Sequence, residues 1–106
     1  MSNSDLTDSL NPDFEEVTKS YGLTVHHAQV GKFHLMRIAG NPSGALTTHT
    51  ITLPDKCKDG FFLSESGFAG DYRFLIEKNG TQLKITSASG SIPHNIYICK
   101  WLAYYG

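Results

Sequence analysis

Five histidines, His26, His27, His34, His49 and His94, are the side chains in this sequence best suited to ligate a metal or move a proton. A zinc centre needs three or four ligands converging tetrahedrally, usually from tight local spacings such as HxxxH on a helix or CxxC, and neither occurs. His26 and His27 are neighbours, so on a strand they point to opposite faces, and only one of them can meet His34 across a hairpin. That leaves a pair. The spacing therefore predicts polar histidines on a solvated sheet face, with no metal and no cofactor. Cys57 lies in Asp55-Lys56-Cys57-Lys58-Asp59, where two lysines could depress a thiol pKa, but no histidine stands beside it as a base. It reads as an exposed, inert loop thiol. Cys57 and Cys99 form no CxxC pair and no disulfide framework, and free thiols are the expectation.

Other catalytic patterns are weaker still. Ser64-Glu65-Ser66-Gly67 and Ser87-Ala88-Ser89-Gly90 place serines beside glycines without the strand-GxSxG-helix context of a nucleophile elbow, and both read as loops. Neither GxxxxGK nor GxGxxG is present to cradle a phosphate. The acids beyond residue 21 are Asp55, Asp59, Glu65, Asp71 and Glu77, with no spacing that marks a glycosidase pair. Enzymatic activity is not expected, and a small enzyme is the least favoured reading.

The elements that would hold these residues follow from composition and pattern. With 106 residues, 40% hydrophobic and 18% charged, the chain has the material for one globular domain. Nine Lys and Arg against ten Asp and Glu give a net charge of −1, which offers no footprint for nucleic acid. No apolar run is long enough for membrane insertion. Residues 1–21 read as a leader or linker rich in Ser, Asn and Asp. Asn11 as N-cap, Pro12 at the first helical position and Asp13, Glu15 and Glu16 after it predict a short helix over 12–20, stopped by Gly22.

From residue 22 to residue 106 short apolar and β-branched runs recur between Gly, Pro, Asn and Asp, predicting an all-β, antiparallel, jelly-roll-like β-sandwich of about seven strands. The expected strands run over 23–29, 32–39, 45–53, 61–64, 71–78, 82–87 and 95–104. The clearest turn is Asn79-Gly80, whose residues accept the positive φ angles of a two-residue hairpin. It joins Tyr72, Phe74 and Ile76 to Leu83 and Ile85, all spaced by two, so one face of this hairpin points into a core. The closing strand differs: Ile96, Ile98 and Leu102 share one face while Tyr97, Cys99, Trp101 and Ala103 share the other. A strand apolar on both faces is either a central core strand or one whose outer face another copy covers. For the oligomer, Tyr97, Cys99 and Trp101 are the interface residues.

The residues also resemble a family. Ile51-Thr52-Leu53-Pro54, the hairpin Ile76 to Ile85 with Asn79-Gly80-Thr81-Gln82-Leu83, the closing run Asn95-Ile96-Tyr97-Ile98 with Trp101 and Tyr104, and Gly31-Lys32-Phe33-His34-Leu35 near the start together resemble the terminal domain of bacteriophage tail-fibre and receptor-binding proteins. After Leu53-Pro54 that family usually carries an aromatic-Arg-Pro turn, where this chain has Lys56-Cys57-Lys58-Asp59-Gly60. The resemblance implies a non-enzymatic adhesion module at a virion's tail tip, made in the host cytoplasm and assembled as a homotrimer. It would bind host surface glycan and meet other tail or baseplate proteins. Aromatic faces stack on pyranoses while fixed polar groups meet their hydroxyls, so Phe68, Tyr72 and Tyr105 are the candidates for stacking, with Arg73 and His94 for hydroxyl or phosphate contacts. A purely structural virion or surface-assembly protein with no ligand is the alternative.

Overall fold

The computed structural model describes residues 15–106, which form eight strands: β1 (Glu15–Ser20), β2 (Leu23–Val30), β3 (Phe33–Gly40), β4 (Thr48–Thr52), β5 (Phe61–Ala69), β6 (Tyr72–Asn79), β7 (Gln82–Ser87) and β8 (Ile98–Tyr105). One turn of 3-10 helix, η1 (Asp55–Cys57), joins β4 to β5. The strands make two four-stranded antiparallel sheets in the orders β1-β2-β3-β8 and β4-β7-β6-β5. The all-β sandwich is as the sequence predicts. Its order is not that of a jelly roll, in which successive strands cross between sheets. Short turns keep sequence neighbours paired, as in β1-β2-β3 and β5-β6-β7.

Alternation builds the core. Leu23 and Val25 of β2, Met36 and Ile38 of β3, and Ile98 and Leu102 of β8 face Ile51 of β4, Phe74 and Ile76 of β6, and Leu83 and Ile85 of β7. Leu46 and Ile92 form an isolated bridge that closes one end, and both are buried. The Asn79-Gly80 turn is where the sequence places it, with Gly80 at φ +61°.

Three expectations need correction. Residues 15–20 are a strand and not the second half of a helix. Pairing along β2 supplies their backbone partners, β-branched Val17 and Thr18 suit a pleated surface, and Tyr21-Gly22 makes a hairpin turn with both φ angles positive, +54° and +79°. The expected helix start at Asn11 and Pro12 lies outside the described residues. Ser64-Glu65-Ser66-Gly67 belongs to β5, where Gly67 lets the Phe74 ring lie against the backbone: a Cβ there would meet Phe74 Cζ at 2.6 Å. The closing strand is an edge strand, not a central one.

The end of the sandwich at the β1–β2 turn is stitched by side chains. The Tyr21 hydroxyl donates to the Ala45 carbonyl at 2.9 Å, its ring stacks on His49, and His49 Nε2 is hydrogen-bonded to Ser20 Oγ at 2.8 Å. Gly40 has φ +146°, and a Cβ there would lie 2.1 Å from the Gly22 carbonyl oxygen. Gly40→Ala is therefore expected to cost about 3 kcal/mol, since it adds a backbone clash to a disfavoured conformation. Gly90→Ala, at φ +81° with open space around it, should cost only about 1 kcal/mol. Urea unfolding of both variants checks the contrast.

Candidate functional site

The expected glycan residues do not form one site. Phe68 on β5 and Arg73 on β6 are cross-strand partners, both exposed, beside the β5–β6 turn. Arg73 N–H donates to Ser89 Oγ at 3.0 Å, and its carbonyl accepts from the Ala88 N–H at 2.8 Å, so the 88–90 turn is held alongside. Tyr72 points the other way and packs half-buried against the core. His94 is exposed in the β7–β8 connection, within the turn closed by the Ile96 N–H to Pro93 carbonyl bond. That connection joins strand ends at the Phe68–Arg73 end of the molecule. Tyr105 is at the opposite end, where the chain terminus lies against Gly60 and β5 begins; the nine residues of β5, at about 3.3 Å each, separate it from Phe68 by roughly 25 Å.

The outer face of the β1-β2-β3-β8 sheet gathers exposed aromatic groups instead. Phe33 is the register partner of Tyr105, Leu35 of Ala103, Arg37 of Trp101 and Ala39 of Cys99. Tyr97 is 52% exposed, Trp101 50% and Tyr105 73%. Tyr105 and Phe33 meet edge to face at 5.5 Å. Arg37 donates to the Tyr97 hydroxyl at 3.2 Å and lies 5.8 Å from the Trp101 ring centroid, so its guanidinium is fixed between two aromatic groups. Tyr97, Cys99 and Trp101 thus share one solvent-facing surface, and the other face of β8 carries the core residues Ile98, Leu102 and Tyr104.

Compared with family models, with curated proteins and with solved structures, the chain matches none. The chemistry must be read from its own residues.

Inside the sandwich, at the Tyr105 end, is a polar cluster that the sequence reading missed. His27 and His34 are buried, not solvated, and His27 Nε2 is hydrogen-bonded to His34 Nδ1 at 2.9 Å. The His34 ring stacks on Tyr104 at 4.6 Å and 7°. Lys78 is 1% exposed; its ammonium donates to the Asp59 carbonyl at 2.9 Å and the Gly60 carbonyl at 2.7 Å, and sits 4.5 Å from the Tyr104 ring centroid. Two N–H groups thus meet carbonyls and the charge meets a ring face, which is how a buried lysine remains tolerable. Cys57 is also buried here, correcting the expectation of an exposed thiol: the η1 turn tucks it under the sheets. Cys57 and Cys99 are both free thiols, the first inside and the second exposed.

Burial sets the protonation of this cluster. It lowers the pKa of His27, helped by the charge of His34 and then Lys78, and lowers that of His34, helped by Lys78. It raises Cys57 and Tyr104 and lowers Lys78. A thiol held protonated is a poor nucleophile. What these groups do is fasten the Asp59-Gly60 loop and the end of β8 to the sandwich. Among the described residues, no three His, Cys, Asp or Glu side chains come together as a metal site would require. A shallow cleft of about 320 Å³, lined by Glu15, His27, Gln29, Gly31 and Lys56, opens onto His27, with Glu15 and Lys56 ion-paired at its wall.

One signal could have found the cluster. Lys78 continues the alternation Phe74, Ile76, Lys78; His27 continues Leu23, Val25, His27; and Tyr104 continues Leu102, Tyr104. Period, not polarity, decides which face a strand residue occupies.

Proposed function

We propose that this chain is a non-enzymatic adhesion module of a phage tail tip, made in the host cytoplasm, that assembles as a homotrimer and binds host surface saccharide. The observation that carries the reading is the exposed aromatic face of β3 and β8, with Phe33, Tyr97, Trp101 and Tyr105 on one side of a sheet. An apolar surface of this kind marks a contact with another molecule. The edge of β8 is the less suitable contact: Lys100, its one charged residue, alternates to the side opposite Trp101, and β5 of the second sheet lies near that strand. A charge directed inward from an edge strand opposes strand-to-strand pairing, so copies meet through the face. The trimer, the tail tip and the tail or baseplate partners come from the resemblance in the sequence.

Assembly through that face leaves the Phe68–Arg73 end, on the other sheet, free for glycan. There an exposed ring and a guanidinium are held side by side by strand register and by the 88–90 turn. His94 is exposed in the loop at this end. On an array of bacterial surface and cell-wall saccharides the protein should bind, and Phe68→Ala or Arg73→Ala should weaken binding by about tenfold or more. A loss on Tyr105→Ala with no effect of Phe68→Ala would move the site to the other end. A trimer that binds no saccharide would favour the structural virion protein.

A further inference from the structure

The His27–His34 pair lies directly beneath the aromatic face. His34 follows Phe33 in β3 and stacks on Tyr104, which precedes Tyr105 in β8; Phe33 and Tyr105 are themselves in edge-to-face contact. The two imidazoles share one hydrogen bond between Nε2 and Nδ1 at 2.9 Å. One nitrogen must donate and the other accept, so each ring carries a single proton in the neutral pair. One further proton can enter on an outward nitrogen with the bond kept. A second would put two N–H groups against each other at that distance, and the rings must part.

Charged groups reach the pair from several elements. Lys78 of β6 lies against the Tyr104 ring, with Cys57 of η1 near it and Asp59 supplying a carbonyl to the ammonium. Glu15 of β1, the register partner of His27, and Lys56 of η1 line the cleft that reaches the buried His27. Burial opposes a proton on either ring, and the ammonium of Lys78 opposes it further. Glu15 is already ion-paired with Lys56, and the Asp59 charge and the Gly106 backbone hydrogen bond, which favour a proton on His34, are outweighed by burial and Lys78.

We propose that the His27–His34 pair is an acid-sensitive latch: neutral or singly protonated, it holds the end of β8 and the Phe33–Tyr105 edge in place, and once both rings are protonated the rings part, releasing that edge and with it the contact between copies. The inference rests on the reading of the aromatic face as that contact. The sign follows from linkage. The folded state disfavours protonation relative to an unfolded histidine near pH 6.5, so the latch is closed above that pH and is lost as pH falls below it.

Trp101, the one tryptophan of the sequence, stands on the outer face of β8 and reports on it. Light scattering and Trp101 emission are followed together from about pH 8 to pH 5, with His27→Gln/His34→Phe as the variant that cannot titrate yet keeps a ring against Tyr104. The wild type should fall from trimer to monomer with a shift in Trp101 emission below about pH 6.5, and the variant should remain assembled through the range. A wild type whose mass and emission are unchanged to about pH 5 overturns the latch, as does a variant that dissociates at the same pH. A chain that is monomeric at pH 8 refutes the assembly reading instead; the latch is then read from Trp101 emission and the histidine ring NMR shifts, and rings that titrate together at an unshifted pKa overturn it. Should the double variant fail to fold, those ring shifts in the wild type decide the matter in the same way.

Discussion

Lys78→Ala should be the most damaging single substitution in the chain, lowering stability by about 3 kcal/mol and the melting temperature by about 15 °C. Lys78 is the only charged residue in the core among the described residues, and its ammonium holds two backbone carbonyls of the loop between η1 and β5. Alanine leaves those carbonyls without their donor, removes the cation from the Tyr104 ring and leaves a space where a four-carbon stem packed. Lys78→Met separates the two causes: it fills the space without donating, and should recover roughly 1 kcal/mol. Urea denaturation of both variants measures the difference. If Lys78→Ala costs less than an exposed lysine substitution such as Lys84→Ala, the ammonium does not fasten the loop and the account of this end of the sandwich fails.

Trp101→Glu should abolish assembly while leaving the fold nearly intact. The Trp101 side chain is half exposed in the single chain, so its replacement creates no interior cavity. In a covered face, by contrast, a carboxylate would be buried among Tyr97, Phe33 and Tyr105, at a cost of several kcal/mol per copy. Arg37, now over the indole, would be drawn to the new charge and would not relieve the burial of the pair. The expected result is a folded monomer with the wild-type denaturation midpoint of the isolated chain. Phe68→Glu is the control: it places the same charge at an exposed aromatic position of the other sheet and should leave the mass unchanged. Equal masses for the wild type and the Trp101 variant would mean that the face is not the contact.

Most of the sandwich could be read because its strands obey one local rule. Phe74 and Ile76 alternate with the less buried Arg73, Leu75 and Glu77, Asn79-Gly80 fixes the turn, and Leu83 and Ile85 return on the same face. The failures share a cause as well. Pro12, Asp13, Glu15 and Glu16 suit a helix start, but the Tyr21-Gly22 turn folds residues 15–20 back along β2, and that pairing overrides the local helix signal. Ser64 to Gly67 looks like a loop because small polar residues suit turns, whereas in β5 the Gly67 position is required by the Phe74 ring across the ladder.

Among site residues the same division holds. Tyr97, Cys99 and Trp101 could be placed on one face from parity alone, and they do lie on it. Phe68 and Arg73 are brought together by the β5–β6 register, which the shortened expected strand over 61–64 could not supply. The separation of Tyr105 from them depends on which end of the sandwich each strand reaches, and that follows from strand order, which composition and periodicity do not carry. His27, His34, Lys78 and Cys57 depend on the two sheets closing over one another, where burial converts ordinary polar side chains into a mutually satisfied cluster.

The most direct test of the proposed function is the mass of the wild-type protein in solution by light scattering at neutral pH. The account predicts about three times the 11.7 kDa of one chain. A mass equal to a single chain over the accessible concentration range would contradict it, leaving the aromatic face of β3 and β8 to a different partner.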